Sequence, residues 1–279
     1  MEPVVARKTW RTLEPLHGLI YFAPEADEAY AALGLRGNRM GYFASRSAAM
    51  GPVTAAVVVA TFYNFNPELV ESAIPQAWQL ASPSAILDAR LAAAVRALRR
   101  VLPDGAEGSP ELAEAASLVR RAAEAAAERP AGRPLFAAHA ALPWPDEPLA
   151  VLWHAQTLLR EFRGDAHVAS LLLYGVGPVE ALVTHGATGE VPMPTLQSTR
   201  AWPDEAWKAA EESLRSRGLL TGDGTLTEGG TRLREAVEHR SDVASLVAYE
   251  PLGEDGCERL RALCRPFSRA VVSAGGLGG

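Results

Sequence analysis

The sequence predicts a mainly α-helical chain made of two divergent copies of one unit, folded as a pseudo-dimer, with one small β-hairpin wing in the second copy. Three observations predict it. Apolar residues recur at helical spacing in most segments, and Asn-Pro and Ser-Pro pairs mark helix starts between them. A set of landmarks also occurs twice in the same order: Leu16-His17, Arg36-Gly37, Ala44-Ser45, Gly51-Pro52-Val53 and Trp78 return as Trp153-His154, Arg163-Gly164, Ala169-Ser170, Gly177-Pro178-Val179 and Trp202. A seam between two such copies is where a pocket would form.

The first unit spans residues 1–105. Residues 7–34 read as a helix carrying Trp10, Leu13, Leu16, Leu19 and Ile20 on one side, kinked at Pro24. After Arg36-Gly37, residues 39–50 and 51–60 read as two helices, the second opened by Gly51-Pro52. Asn66-Pro67-Glu68 starts another helix, and Ser82-Pro83 starts a longer one running from Ser84 to Leu102. Arg90, Arg96, Arg99 and Arg100 suit the C-terminal end of that helix, and Pro103-Asp104-Gly105 stops it.

Residues 106–148 read as a connection. Within it, 109–129 is an Ala/Glu/Arg helix with few large apolar groups, expected on the surface. Prolines from 130 to 148 then predict an extended strap around Leu135-Phe136 and Leu142-Pro143-Trp144-Pro145.

The second unit, 149–279, opens with a helix over 149–162 that holds Trp153 and His154. Arg163-Gly164-Asp165 reads as a turn in which Asp165 caps a helix beginning at Ala166. Residues 196–202 close one helix, and Pro203 opens the next, which ends at Gly218. Leu219-Leu220, the turn Thr221-Gly222-Asp223-Gly224 and Thr225-Leu226-Thr227 predict a hairpin, and Thr227 caps a helix running to about Ala248. Helix, helix, wing, helix is the order of a winged helix-turn-helix. The run Gly275 to Gly279 reads as a flexible end.

Acidic residues outnumber basic ones, 33 to 27, for a net charge of −6, so no global basic field exists to hold a polyanion. The basic residues are almost all arginine, with lysine only at Lys8 and Lys208, and together with abundant alanine this reads as GC-rich coding. Cys257 and Cys264 share a helix face without metal-knuckle spacing and read as reduced core thiols. Met1-Glu2-Pro3-Val4 opens no apolar leader, and no run approaches the ~20 apolar residues of a membrane span. The expectation is a cytoplasmic protein without membrane contact.

The run Arg215-Ser216-Arg217-Gly218-Leu219-Leu220, Asp223-Gly224 and Leu226-Thr227-Glu228-Gly229-Gly230 resembles the wing of MarR-type regulators. More of the chain is similar to a large actinobacterial helix-turn-helix family, through Leu13-Glu14-Pro15-Leu16-His17, Tyr21-Phe22-Ala23-Pro24-Glu25, Gly41-Tyr42-Phe43-Ala44, Leu142-Pro143-Trp144-Pro145, Leu152-Trp153-His154-Ala155 and Arg163-Gly164-Asp165-Ala166-His167. The resemblance implies two fused MarR-like repeats and a short tail rich in proline and asparagine beyond Gly279. It does not carry over an activity.

Three groups of side chains could bear chemistry. His154, Thr157 and Glu161 lie along one helical stripe, and a turn after Glu161 would bring His167 back toward it. Two histidines and a carboxylate suit a metal site, held by His154, Glu161 and His167, and a facing pair of His17 and His154 would suit haem or a metal. His154 or Glu161 is the expected general base of a catalytic version, with Arg160 or Arg163 stabilising a developing anion. The same Arg160, Glu161, Arg163 and Asp165 equally suit an internal ion-pair lattice. In the first unit, His17 and Tyr21 share a face, and Tyr42 with Arg46 forms a pair suited to an anionic or aromatic group. His185 marks a third position, near the start of the winged unit, while His139 and His239 read as surface residues.

The expected reading helix, residues 203–217, carries Asp204, Glu205, Glu211 and Glu212 against Lys208, Arg215 and Arg217, a poor composition for the major groove. The leading expectation is therefore a small-molecule-binding protein, with or without turnover, acting as a pseudo-dimeric monomer or a homodimer. Its pocket would be lined by His17, Tyr21, Tyr42, Arg46, His154, Glu161, Arg163 and His167, with Arg160, Asp165 and His185 as further ligand-binding candidates. The alternatives are a ligand-responsive DNA-binding regulator and a metal-dependent enzyme.

Overall fold

The computed structural model describes residues 1–37 and 39–275, so the end of the expected glycine-rich run, 276–279, lies outside the described residues. Helices follow one another as α1 (Pro3–Gly18), α2 (Pro24–Ala32), α3 (Met40–Ser47), α4 (Ala55–Phe62), α5 (Pro67–Glu71), α6 (Gln76–Leu80), α7 (Pro83–Val101), α8 (Pro110–Ala127) and α9 (Pro134–Ala140). They continue as α10 (Pro148–Leu173), α11 (Pro178–Gly186), α12 (Met193–Arg200), α13 (Asp204–Ser216), α14 (Glu228–Tyr249) and α15 (Gly253–Ser273). The chain is mainly helical, and no strand forms among the described residues. No single described helix is both long and apolar enough to cross a membrane.

Local chemistry accounts for most of the helix starts. The Asn66 side chain accepts from the Glu68 N–H, Ser82 from Ala85, Ser109 from Leu112 and Thr227 from Gly230, each satisfying a donor that the first turn leaves orphaned. The expected long N-terminal helix divides into α1 and α2 because Pro24 opens a new helix at its first position.

Helix α10 is the axis. It packs against α8, α14, α9, α1 and α7, while α15 closes the far side of α1 and α8. The turn expected at Arg163-Gly164-Asp165 does not form: α10 runs straight through it, with Glu161, Phe162, Arg163, Asp165 and Ala166 all buried. A mid-helix glycine costs only about 1 kcal/mol relative to alanine, and burial on every side of the helix outweighs that. Asp165 consequently caps another element, its carboxylate accepting the Phe136 N–H at 2.9 Å in the first turn of α9.

Helix α8, expected on the surface, is a core helix. Leu112, Ala115, Ala116, Val119, Ala122, Ala123 and Ala126 are buried, a stripe of small residues that lets it lie close against α10. The expected extended strap likewise contains α9, which buries Leu135, Phe136 and His139. His139 is therefore interior, whereas His239 is exposed as expected. One apolar core cluster draws on residues from all three expected segments, and residues 182–220 form a small separate core of Leu182, Val183, Leu196, Trp207, Ala210, Leu214 and Leu220. Cys257 and Cys264 are buried and free.

The expected repeat has no counterpart in this architecture. Arg36-Gly37 lies in a turn with Gly37 at φ 71°, whereas Arg163-Gly164 lies inside a helix. Gly51 ends a helical turn at φ 80°, whereas Gly177 opens α11 at φ −71°. The wing reduces to a single antiparallel bridge between Leu220 and Leu226. Strands cannot lengthen there, because Gly218 terminates α13 on one side and Thr227 already caps α14 on the other. The turn itself is well closed: Asp223 accepts from the Thr225 N–H at 3.2 Å, and the Thr221 N–H donates to the Thr225 carbonyl at 2.9 Å.

The first turn of α14 is pressed against this bridge, and a Cβ at Gly230 would stand 2.1 Å from the Leu219 carbonyl oxygen. Backbone cannot yield as a flexible side chain would. Gly230→Ala is expected to destabilise the chain by about 2 kcal/mol or more, read as a lower urea midpoint at unchanged slope.

Candidate functional site

The interior polar cluster forms where α1, α3, α7 and α10 meet. His17, at the end of α1, is fully buried and stacks on Trp153 of α10, with ring centroids 5.3 Å apart and planes 9° apart. Its Nδ1 lies 3.0 Å from Thr157 Oγ1 and its Nε2 lies 2.9 Å from the Tyr21 hydroxyl. Thr157 already donates its hydroxyl proton to the Trp153 carbonyl at 3.0 Å. The Thr157 oxygen therefore accepts from Nδ1–H, and Nε2 accepts from Tyr21, which assigns one neutral tautomer. Burial, with Arg160, Arg90 and Arg46 nearby, holds the His17 imidazole well below its ordinary range.

Beside it stands a buried ion pair. Arg46 Nη2 of α3 donates to both oxygens of Glu161 at 3.0 Å, and Arg160 reaches the same carboxylate at 3.3 Å. Arg160 is tied in turn to Glu14 at 2.8 Å. Burial alone would push the Glu161 carboxyl up, but the guanidinium groups of Arg46 and Arg160 outweigh it and hold it at about 2. The Arg46 guanidinium donates to the Tyr42 hydroxyl at 3.0 Å and lies over aromatic faces, 4.4 Å from the Phe62 centroid and 5.6 Å from that of Tyr42. From α9, His139 donates its Nε2–H to the Arg46 carbonyl at 3.2 Å, and burial takes its pKa down to about 3.

Of the expected lining, His17, Tyr21, Tyr42, Arg46, Arg160 and Glu161 come together. The others do not join them. Arg163 points from α10 to Glu238 at 2.6 Å and Asp242 at 3.0 Å on α14, with Arg7 of α1 on the other oxygen of Asp242. His167 meets Ser241 in that second cluster at 3.1 Å, and burial with Arg234 nearby lowers the pKa of His185 on α11. Of the ion-pair lattice expected of Arg160, Glu161, Arg163 and Asp165, Arg160 pairs with Glu161, the other partners come from distant segments (Glu14, Arg46, Glu238 and Asp242), and Asp165 takes the Phe136 N–H instead of an arginine.

The expected metal ligands are likewise apart. His154 packs edge-on to Trp144 at 4.9 Å, Glu161 is enclosed by arginines, and His167 faces α14. No group of three such side chains is placed to hold a metal among the described residues. His17 and His154 do not face each other, and both ring nitrogens of His17 are already hydrogen-bonded. Neither expected general base titrates near neutrality, since burial, Arg90 and Arg120 take His154 to about 4 and Glu161 ionises near 2. Asp165 is the carboxyl that does approach neutrality, pushed up by burial to about 6.

Sequence reasoning missed Arg90 and His139. Arg90, assigned to a helix end, sits mid-helix on the buried stripe with Ile86, Ala93, Ala94 and Ala97, and is 2% exposed. His139 follows Leu135 and Phe136 by four and three residues, so all three share the buried face of α9. The open surface clefts lie elsewhere; one runs between α1 and α15, lined by Arg11, Thr12, Arg265 and Arg269.

The expected reading helix, α13, exposes Asp204, Glu205, Lys208 and Glu212. Its arginines are engaged: Arg215 with Glu211 at 2.8 Å, and Arg217 with Glu180 of α11 at 3.0 Å. Trp207 is buried, and Trp202 donates to the Asn64 carbonyl at 3.0 Å, locking this unit to the loop after α4.

Two variants probe the interior. Glu161→Gln leaves the Arg46 guanidinium buried without its counter-charge and should cost about 3–5 kcal/mol in denaturant unfolding. Asp165 ionises near 6 when folded but near its ordinary, lower value when unfolded. Its contribution to stability is thus full in acid and is lost as the pH rises through 6. Asp165→Asn should flatten the pH dependence of the melting temperature between about pH 4 and 7.

Comparison with curated proteins and with solved structures gives no match. Residues 6–278 match the family described as a helix-turn-helix family. The match runs through the central α10, the interior polar cluster and the α11–α14 unit together, and the chain belongs to this helix-turn-helix family.

Proposed function

We propose that the chain is a small-molecule-binding protein that holds its ligand at the interior polar cluster between α1, α3, α7 and α10. One observation supports this reading above others: Arg46 Nε, Arg90 Nε and Nη2, Trp153 Nε1 and His154 Nε2 are buried without a hydrogen-bond partner. An interior guanidinium or indole N–H left unpaired costs about 1–3 kcal/mol or more, so polar atoms gathered in this way favour a bound group that completes them. The helix-turn-helix unit then serves as an inherited frame, fixed to the body through α10 and Trp202.

Native mass spectrometry of the purified chain, set against its denatured mass, tests this directly. A retained adduct that is lost in Arg46→Met is the expected result. A bare native mass, combined with equilibrium dialysis that depletes nothing from the small-molecule fraction of a cell extract, overturns the reading.

Family membership favours a second reading, a ligand-responsive DNA-binding regulator. The two separate on salt dependence. A regulator shows duplex affinity that falls steeply with salt and falls again in Arg215→Ala and Arg217→Ala. The acidic exposed face of α13 predicts instead no retardation of mixed-sequence duplex at physiological ionic strength.

A further inference from the structure

The Arg90 side chain carries a more specific conclusion, which rests on the small-molecule reading above. It projects from α7 into the interior, and its guanidinium carbon lies 4.9 Å from the centroid of the Trp153 ring. Both Nε and Nη2 are buried without an acceptor. These two nitrogens form one edge of the guanidinium fork, the edge that receives the two oxygens of a carboxylate side by side. The indole N–H of the ring beneath is also unpartnered.

Charge balance points the same way. Three guanidinium groups act on Glu161 in this interior: Arg46, Arg90 and Arg160. Two carboxylates answer them, Glu161 and Glu14, and both are taken by Arg46 and Arg160. The histidines add no positive charge at neutral pH, because burial holds His17, His139 and His154 low. The cluster is left with one positive charge in excess, located at Arg90. A buried unpaired ion costs several kcal/mol, whereas a bidentate carboxylate is its best available complement.

We infer that Arg90 is the anchor for the carboxylate of a small monoanionic ligand, received on its Nε and Nη2 edge with the Trp153 N–H alongside. A dianion such as phosphate would overcharge the site, and a neutral amide would leave the excess charge in place. Both Nη atoms of Arg46 are engaged, by Tyr42 and Glu161, and Glu161 meets its charge, which leaves Nε alone without an acceptor; Arg46 shapes the surroundings rather than holding the acid.

Thermal unfolding of the full chain tests the inference, with formate and benzoate as carboxylate probes, nitrate as an inorganic planar anion, and benzamide as the neutral control. Either carboxylate should raise the melting temperature saturably, and benzamide should not. Arg90→Met should melt higher than the parent chain in the absence of carboxylate, because an uncompensated charge is removed, and should no longer respond to either acid. Arg90→Lys, which keeps the charge but loses the fork, should weaken the apparent affinity by about tenfold.

A merely structural Arg90 gives the opposite pattern: Arg90→Met melts lower at every carboxylate concentration or fails to fold. Absence of any response to both acids also overturns the inference, as does an equal response to benzamide. A response to nitrate that exceeds both acids assigns the site to inorganic anions instead. If benzoate still stabilises Arg90→Met but no longer stabilises Arg46→Met, the small-molecule reading stands and the anchor lies elsewhere.

Discussion

The contact between Arg46 and Glu161 organises the interior of this molecule. A carboxylate at the middle of a long buried helix is tolerable only with a guanidinium in register, and Arg46 supplies it from α3, its Nη2 donating to both carboxylate oxygens at 3.0 Å. Everything around the pair follows from having placed it there. Tyr42, Phe62 and Tyr21 face the guanidinium, His139 takes up the carbonyl of Arg46, and Arg160 bridges the same carboxylate to Glu14 on α1. Four segments from distant parts of the chain are tied to one point of α10. The apolar stripe of α8 then packs against the same helix without a polar contribution of comparable weight.

Short-range chemistry was legible in the sequence and long-range pairing was not. Asn66, Ser82 and Thr227 are read correctly as helix starts because capping is decided within three residues. Tyr42 with Arg46, and His17 with Tyr21, are read correctly as pairs because four residues on a helix bring side chains together. The turn at Arg163-Gly164-Asp165 fails for the opposite reason. Nothing in that tripeptide reveals that Phe136, Glu238 and Asp242 will converge on it and hold it helical.

The same limit accounts for α8 and for Arg90. An alanine-rich helix with charged residues between its small ones looks solvated when read alone, and only a partner such as α10 turns its alanines into a close-packed face. Arg90 looks like a favourable charge near a helix end. Its position on the stripe with Ile86, Ala94 and Ala97 was the available signal, and a polar residue on an apolar stripe is more informative than one beside it. The duplicated landmarks were composed of small and turn-forming residues, which recur readily in a chain rich in alanine and glycine.

The chain of hydrogen bonds from Tyr21 through His17 and Thr157 to the Trp153 carbonyl has a direction, since its last acceptor is a backbone oxygen that has no proton to pass on. It therefore works as a strut and not as a proton relay. The ring cannot exchange tautomers without breaking bonds at both ends. With His139 and His154 also neutral and Glu161 also ionised across the physiological range, the charges of this cluster make a fixed electrostatic template. For any molecule accommodated there, the pH dependence of affinity is then set by the guest's own ionisation and by Asp165, one turn along α10 from Glu161, which loses its proton near 6.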